Sequence, residues 1–96
     1  MVVTMLEAGL KEDNAGLLVE RFGAGGDSLP PSIIESFLLH DTGSETWRIV
    51  TVWASQEALD GYRDSVETPE GVRMFHDAGA EPALTVWKVA AHADHS

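Results

Sequence analysis

The run Thr46-Trp47-Arg48-Ile49-Val50-Thr51-Val52-Trp53 limits the folds open to this chain more than any other stretch. Trp47, Ile49, Thr51 and Trp53 alternate with Arg48, Val50 and Val52, a strand pattern dense in β-branched and aromatic side chains. Neither face of that strand is polar along its length, so both faces of its sheet need a cover. A helix follows at once. Ser55 is a capping residue, Glu57 falls in the first turn, and Leu59, Tyr62 and Val66 recur at helical spacing.

The rest of the chain supplies partners for this strand. Val2 to Leu6 is an apolar run that reads as a first strand, buried or central. Lys11 to Asn14 open a helix with acids where the helix dipole favours them, and Ala15, Leu18 and Phe22 recur on one face beside Leu17. Gly23-Ala24-Gly25-Gly26 ends it, and Asp27 to Pro31 form a rigid loop. These glycines follow a helix and precede no Lys-Ser/Thr pair, so they read as a helix stop and not as a phosphate cradle.

Ile33 to His40 form the second strand, with Ile33, Phe37 and Leu39 on one side and Ile34 and Leu38 on the other. Asp41 to Ser44 make a hairpin turn into the third strand. That pairing is expected to put Arg48 on the side of Leu38 and His40, opposite Glu35. Gly61 weakens the second helix by roughly 1 kcal/mol relative to Ala, marking either close packing or a tolerated weakness. Thr68-Pro69-Glu70 starts a third helix, with Thr68 as cap and Val72, Phe75 and His76 facing inward, stopping near Gly79. Ala83 to Val89 is the last strand, apolar on both sides.

The order β-α-β-β-α-α-β is the split βαβ, ferredoxin-like α+β arrangement, with its helices on one face of a four-stranded antiparallel sheet. Residues 1–90 are expected to form one domain and 91–96 a C-terminal tail. Helices cover one face only, yet the strands are apolar on both. Burying one Trp removes ~150–250 Å² from water, worth at most ~4–6 kcal/mol, so a wholly wet second face is unfavourable. The expected cover is a second copy, sheet against sheet, in a homodimer.

Charge narrows the partners. Sixteen acids against six bases give a net charge of −10, which disfavours nucleic acid and anionic membranes and leaves a small neutral or cationic ligand, or a protein. The chain has no cysteine, which excludes disulfides, thiolate metal sites and a thiol nucleophile. Its first residues lack a basic region followed by an apolar run and a cleavage site, and a cytoplasmic location is expected.

Val50-Thr51-Val52-Trp53 followed by Ser55-Gln56-Glu57-Ala58-Leu59 resembles the antibiotic-biosynthesis-monooxygenase-like family of the dimeric α+β barrel superfamily. Members typically end this strand in an aromatic and start the helix with an acid and Ala-Leu. The chain departs from the pattern at Thr51, where many members carry Glu, and at Tyr62, where many carry His. Its first strand has no Asn, so the resemblance does not extend to haem degradation. What the resemblance implies is a pocket between sheet and helices, and an oxidoreductase that needs no cofactor and acts on an aromatic or polyketide-like molecule.

Trp53 and Phe75 are the expected substrate-binding residues, and Tyr62 and His76 the expected catalytic ones. In a monooxygenase of this kind a phenol is deprotonated to an electron-rich anion that reacts with oxygen. His76 would be the base and Tyr62 would hydrogen-bond the substrate oxygen. The competing reading makes both of them packing residues with polar tips in solvent. His40-Asp41 reads as a hairpin end, and His92, Asp94 and His95 as tail residues rather than a metal site. Arg63 and Arg73 read as solvated partners of nearby acids. The functional alternatives are a non-catalytic dimeric ligand-binding or stress-response module of the same superfamily, and an isomerase or lyase.

Overall fold

The computed structural model describes residues 1–25 and 29–94. Gly26, Asp27 and Ser28 of the expected loop lie outside the described residues, as do His95 and Ser96. The elements are β1 (Val2–Gly9), α1 (Glu12–Gly25), β2 (Ile33–His40), β3 (Thr46–Trp53), α2 (Gln56–Ser65), α3 (Glu70–Asp77) and β4 (Ala83–Lys88). The order is the expected one. The sheet runs β2-β3-β1-β4 with every neighbouring pair antiparallel, so it is the α+β, ferredoxin-like arrangement with the apolar β3 near its middle.

Local chemistry accounts for the ends of the elements. Ser55 Oγ accepts from the Ala58 N–H at 3.0 Å, capping α2. Gly79, at φ 84°, closes α3: its N–H donates to His76 O, and the Ala80 N–H to Phe75 O, the paired bonds of a Schellman turn. Asp41 accepts from the Gly43 N–H at 2.9 Å in the β2–β3 turn, and this bond above all holds its carboxyl below the ordinary value of 3.8. A lowered folded value means that this contribution is present above the unfolded pKa and is lost as pH falls through the folded one. Thr68 makes no side-chain cap. Pro69 occupies the N-cap of α3, and the Glu70 N–H is met by the Tyr62 hydroxyl at 3.0 Å.

Two expectations about β2 and β3 are corrected. The pairing shifts between Ile33 and Glu35, where a β-bulge inserts one residue. Ile33 therefore lies opposite Trp53 on the helix face, while Phe37, opposite Val50, and Leu39, opposite Arg48, lie on the other. Arg48 thus shares the face of Leu39, not that of Leu38 and His40, because directly opposed residues point the same way. Its partner is Glu7 of β1, at 2.9 Å. His40 instead stacks on Trp47, with ring centroids 4.1 Å apart, and bonds Ser44 O.

The core is divided. Leu6, Leu10, Leu18, Ile49, Met74 and Phe75 belong to one buried cluster under α1 and α3. Val2, Trp53 and Leu59 form a second under α2. Gly71 lets α3 approach the sheet, since a Cβ there would stand 2.8 Å from Leu6 Cδ1. Gly61 has no such reason: it is exposed, and a Cβ would meet nothing within 4 Å. Gly61→Ala is accordingly expected to raise stability by about 0.4–1 kcal/mol, read as a higher denaturant midpoint.

Candidate functional site

Register writes the helix face of the sheet as three rows. Lys88, Val2, Trp53 and Ile33 make the first row, and Leu84, Leu6, Ile49 and Leu38 the third. Between them runs Val86, Thr4, Thr51 and Ser36, so three strands each place a hydroxyl in the middle of an otherwise apolar floor. The two core clusters stand over the outer rows. Over the hydroxyl row lies a partly open cavity of about 530 Å³, within the usual range for small-molecule sites.

The hydroxyls are tied down but not saturated. Thr4 and Thr51 are both buried. Thr4 Oγ1 accepts from Trp53 Nε1 at 2.9 Å, which leaves its own O–H free to donate. Ser36 Oγ lies 3.3 Å from Val50 O and 2.9 Å from Thr51 Oγ1, and whichever hydroxyl donates in that pair, Thr51 Oγ1 keeps a free lone pair. The floor thus offers a donor at Thr4 and an acceptor at Thr51. Trp53 and Tyr62 form the wall, their rings tilted at 47° with centroids 5.1 Å apart. Because the Tyr62 oxygen accepts from the Glu70 N–H, its own proton is free for another partner.

Of the four residues the sequence singles out, Trp53 and Tyr62 line the cavity and Phe75 and His76 do not. Phe75 is fully buried in the larger core cluster, so its expected place against a substrate is corrected to a packing position. His76 is corrected as well: its side chain is 44% exposed and its Nε2 lies 2.7 Å from Glu81 Oε2. The inward face of α3 carries Gly71, Met74, Phe75 and Ala78, the i, i+3, i+4, i+7 set. One position beyond Phe75 turns ~100° away from that face. The apolar Met74 and Ala78 were the signal that fixes this phase.

Sequence reasoning missed Thr4, Ser36 and Thr51, whose only mark was a polar side chain midway along an apolar strand face. It also missed Arg63, which borders the cavity beside Tyr62. Arg73 does reach Glu70, at 3.5 Å, as expected of a solvated pair. Among the described residues no group of three His, Cys, Asp or Glu comes together as a metal site, and no helix is long and apolar enough to cross a membrane.

No protein-family model and no curated protein sequence matches the chain. Solved structures do. A Deinococcus radiodurans protein, a candidate antibiotic biosynthesis monooxygenase, superposes with a TM-score of 0.74 at 10% identity, over 100% of this chain and 99% of its own. SnoaB, a cofactor-independent oxygenase from Streptomyces nogalater, in a single-substitution variant, gives 0.72 at 11% identity, over 98% and 97%. A variant of MhuD with two manganese protoporphyrin IX molecules bound per active site gives 0.67 at 18% identity, over 99% and 100%. Across nearly its whole length, then, the chain has the ferredoxin-like α+β fold of the antibiotic biosynthesis monooxygenase-like structures.

Proposed function

We propose that this chain is a small-molecule protein whose cavity receives a planar, largely apolar aromatic or polyketide-like compound bearing oxygen substituents, and that it oxidises that compound without a cofactor. The observation that carries the reading is the hydroxyl row of Thr4, Thr51 and Ser36 under a cavity walled by Trp53 and Tyr62. An apolar enclosure with a few convergent polar groups orients a flat ligand by its oxygens while dispersion holds its rings. The relatives in fold named as oxygenases support the reaction class by analogy only.

In this reading Tyr62 donates to the oxygen of the bound substrate, stabilising the negative charge that develops when a neighbouring C–H or O–H proton passes to water at the open side of the cavity. The electron-rich anion then reduces dioxygen. For an anthrone, one oxygen atom becomes the new ring carbonyl and the other leaves as water with the two hydrogens removed from carbon. This reading gives His76 no part, because its ring turns to Glu81 and away from the cavity lining. That displacement favours a second reading, a non-catalytic ligand-binding module with the same cavity.

Anthrone incubated aerobically with the metal-free protein separates the two readings. Oxygen consumption matched by anthraquinone formation, well above the buffer rate, supports the enzyme. Saturable binding without turnover supports the module. Tyr62→Phe is expected to slow turnover by about 10- to 100-fold, with a stability loss of only about 0.5–1.5 kcal/mol from the lost Glu70 bond. Unchanged turnover would remove Tyr62 from the mechanism.

The homodimer belongs to the same proposal. On the sheet face away from the helices, Trp87, Val3 and Val52 form one cross-strand row, and Met5, Val50 and Phe37 another. Trp87 is 57% and Phe37 46% exposed in the single chain. A second copy laid sheet to sheet would bury both rows, and a two-fold axis makes one patch serve both partners.

A further inference from the structure

We infer that the cavity selects an anionic ligand, a planar aromatic acid whose carboxylate pairs with Arg63; this rests on the small-molecule reading above and names its ligand class. Arg21, Arg48 and Arg73 each reach a carboxylate, Asp77, Glu7 and Glu70 respectively. Arg63 reaches none within 4.0 Å among the described residues. Its sequence neighbours offer two candidates, Asp60 three residues before and Glu67 four residues after, at spacings where helical pairs normally form. Asp60 is instead taken by Gln56 Nε2 at 2.9 Å, and Glu67 follows the end of α2.

Placement turns this free guanidinium into a selective element. Arg63 is half-buried, follows Tyr62 in α2, and is the one guanidinium among the described residues that line the cavity. Glu70, which also lines it, lies 3.5 Å from Arg73, so its charge is offset by a cation other than Arg63. A guanidinium presents two parallel N–H donors that match a carboxylate, a stronger contact than either makes with a neutral group. Ligand rings lying over the Thr4–Thr51–Ser36 row would leave a peripheral carboxylate free to reach it.

The net charge of −10 does not cancel this preference. Surface charges are screened over ~8 Å at physiological ionic strength, whereas the Arg63 contact is made at hydrogen-bond distance inside a partly desolvated wall. Arg63 also lies in the last turn of α2, where a cation suits the helix dipole. That role would affect stability alone, so a ratio of affinities distinguishes the two.

The test uses two ligands of the same shape, anthraquinone-2-carboxylate and anthraquinone-2-carboxamide, titrated calorimetrically into the wild-type protein, Arg63→Gln and Arg63→Lys. The carboxylate is expected to bind the wild type about tenfold more tightly than the amide. Arg63→Gln should abolish that ratio by weakening the carboxylate more than the amide, and Arg63→Lys should keep part of it. Equal affinities in the wild type, or a ratio that survives Arg63→Gln, overturn the assignment while the cavity reading stands. Failure of both ligands to bind overturns the cavity reading and this inference together.

Discussion

Phe75→Ala is expected to lower the stability of the domain by about 3–5 kcal/mol, whereas His76→Ala costs less than about 1 kcal/mol. Phe75 is fully buried between α1, α3 and the sheet, in contact with a cluster that holds Leu18, Ile49 and Met74. Truncating it removes the transfer energy of a whole ring and leaves a void that close-packed neighbours cannot fully collapse. Small domains are stable by only ~5–15 kcal/mol, so the variant sits near the edge of folding at 37 °C. His76 loses only an exposed contact to Glu81. Urea denaturation with unchanged m-values reads both losses directly. A Phe75→Ala protein that keeps its midpoint and loses ligand affinity would return Phe75 to the cavity and sink the core assignment.

Phe37→Glu is expected to dissociate the proposed homodimer while leaving the single-chain fold nearly untouched. Phe37 is already 46% exposed, so the monomer loses little when it is replaced. In a two-fold sheet-to-sheet interface the change enters twice and places two carboxylates against apolar rows. Each unpaired buried charge costs several kcal/mol, and every 1.4 kcal/mol is tenfold, so the dissociation constant rises by about 10³ or more. The added acids also increase the repulsion between two chains that each carry a net charge of −10. Sedimentation at micromolar concentration should give a dimer for the wild type and a monomer for the variant, with matching circular dichroism. A wild-type monomer would end the proposal, and a variant that stays dimeric would move the interface elsewhere.

Much of this fold was legible in the order of residues. The limits of β2 and β3, the Ser55 cap and the Gly79 stop follow from side chains within a few positions of each feature. The meeting of Trp53 and Tyr62 at the cavity was legible because both follow from one strand end and the helix attached to it. His76 was misplaced because a helix of eight residues supplies barely two turns of pattern, and Val72 with Phe75 fits one phase as well as Met74 with Phe75 and Ala78 fits the other.

The chain by itself determined element types, the apolarity of both sheet faces and the position of the aromatic wall, because alternation and capping are local and carry their own period. Tertiary structure alone decided the rest. The bulge that turns Ile33 toward the helices and the meeting of Thr4, Thr51 and Ser36 in one row depend on pairings between residues 15 to 50 positions apart. No local period encodes such pairings. They are set by which register buries the most apolar surface while satisfying the backbone, a property of the assembled sheet.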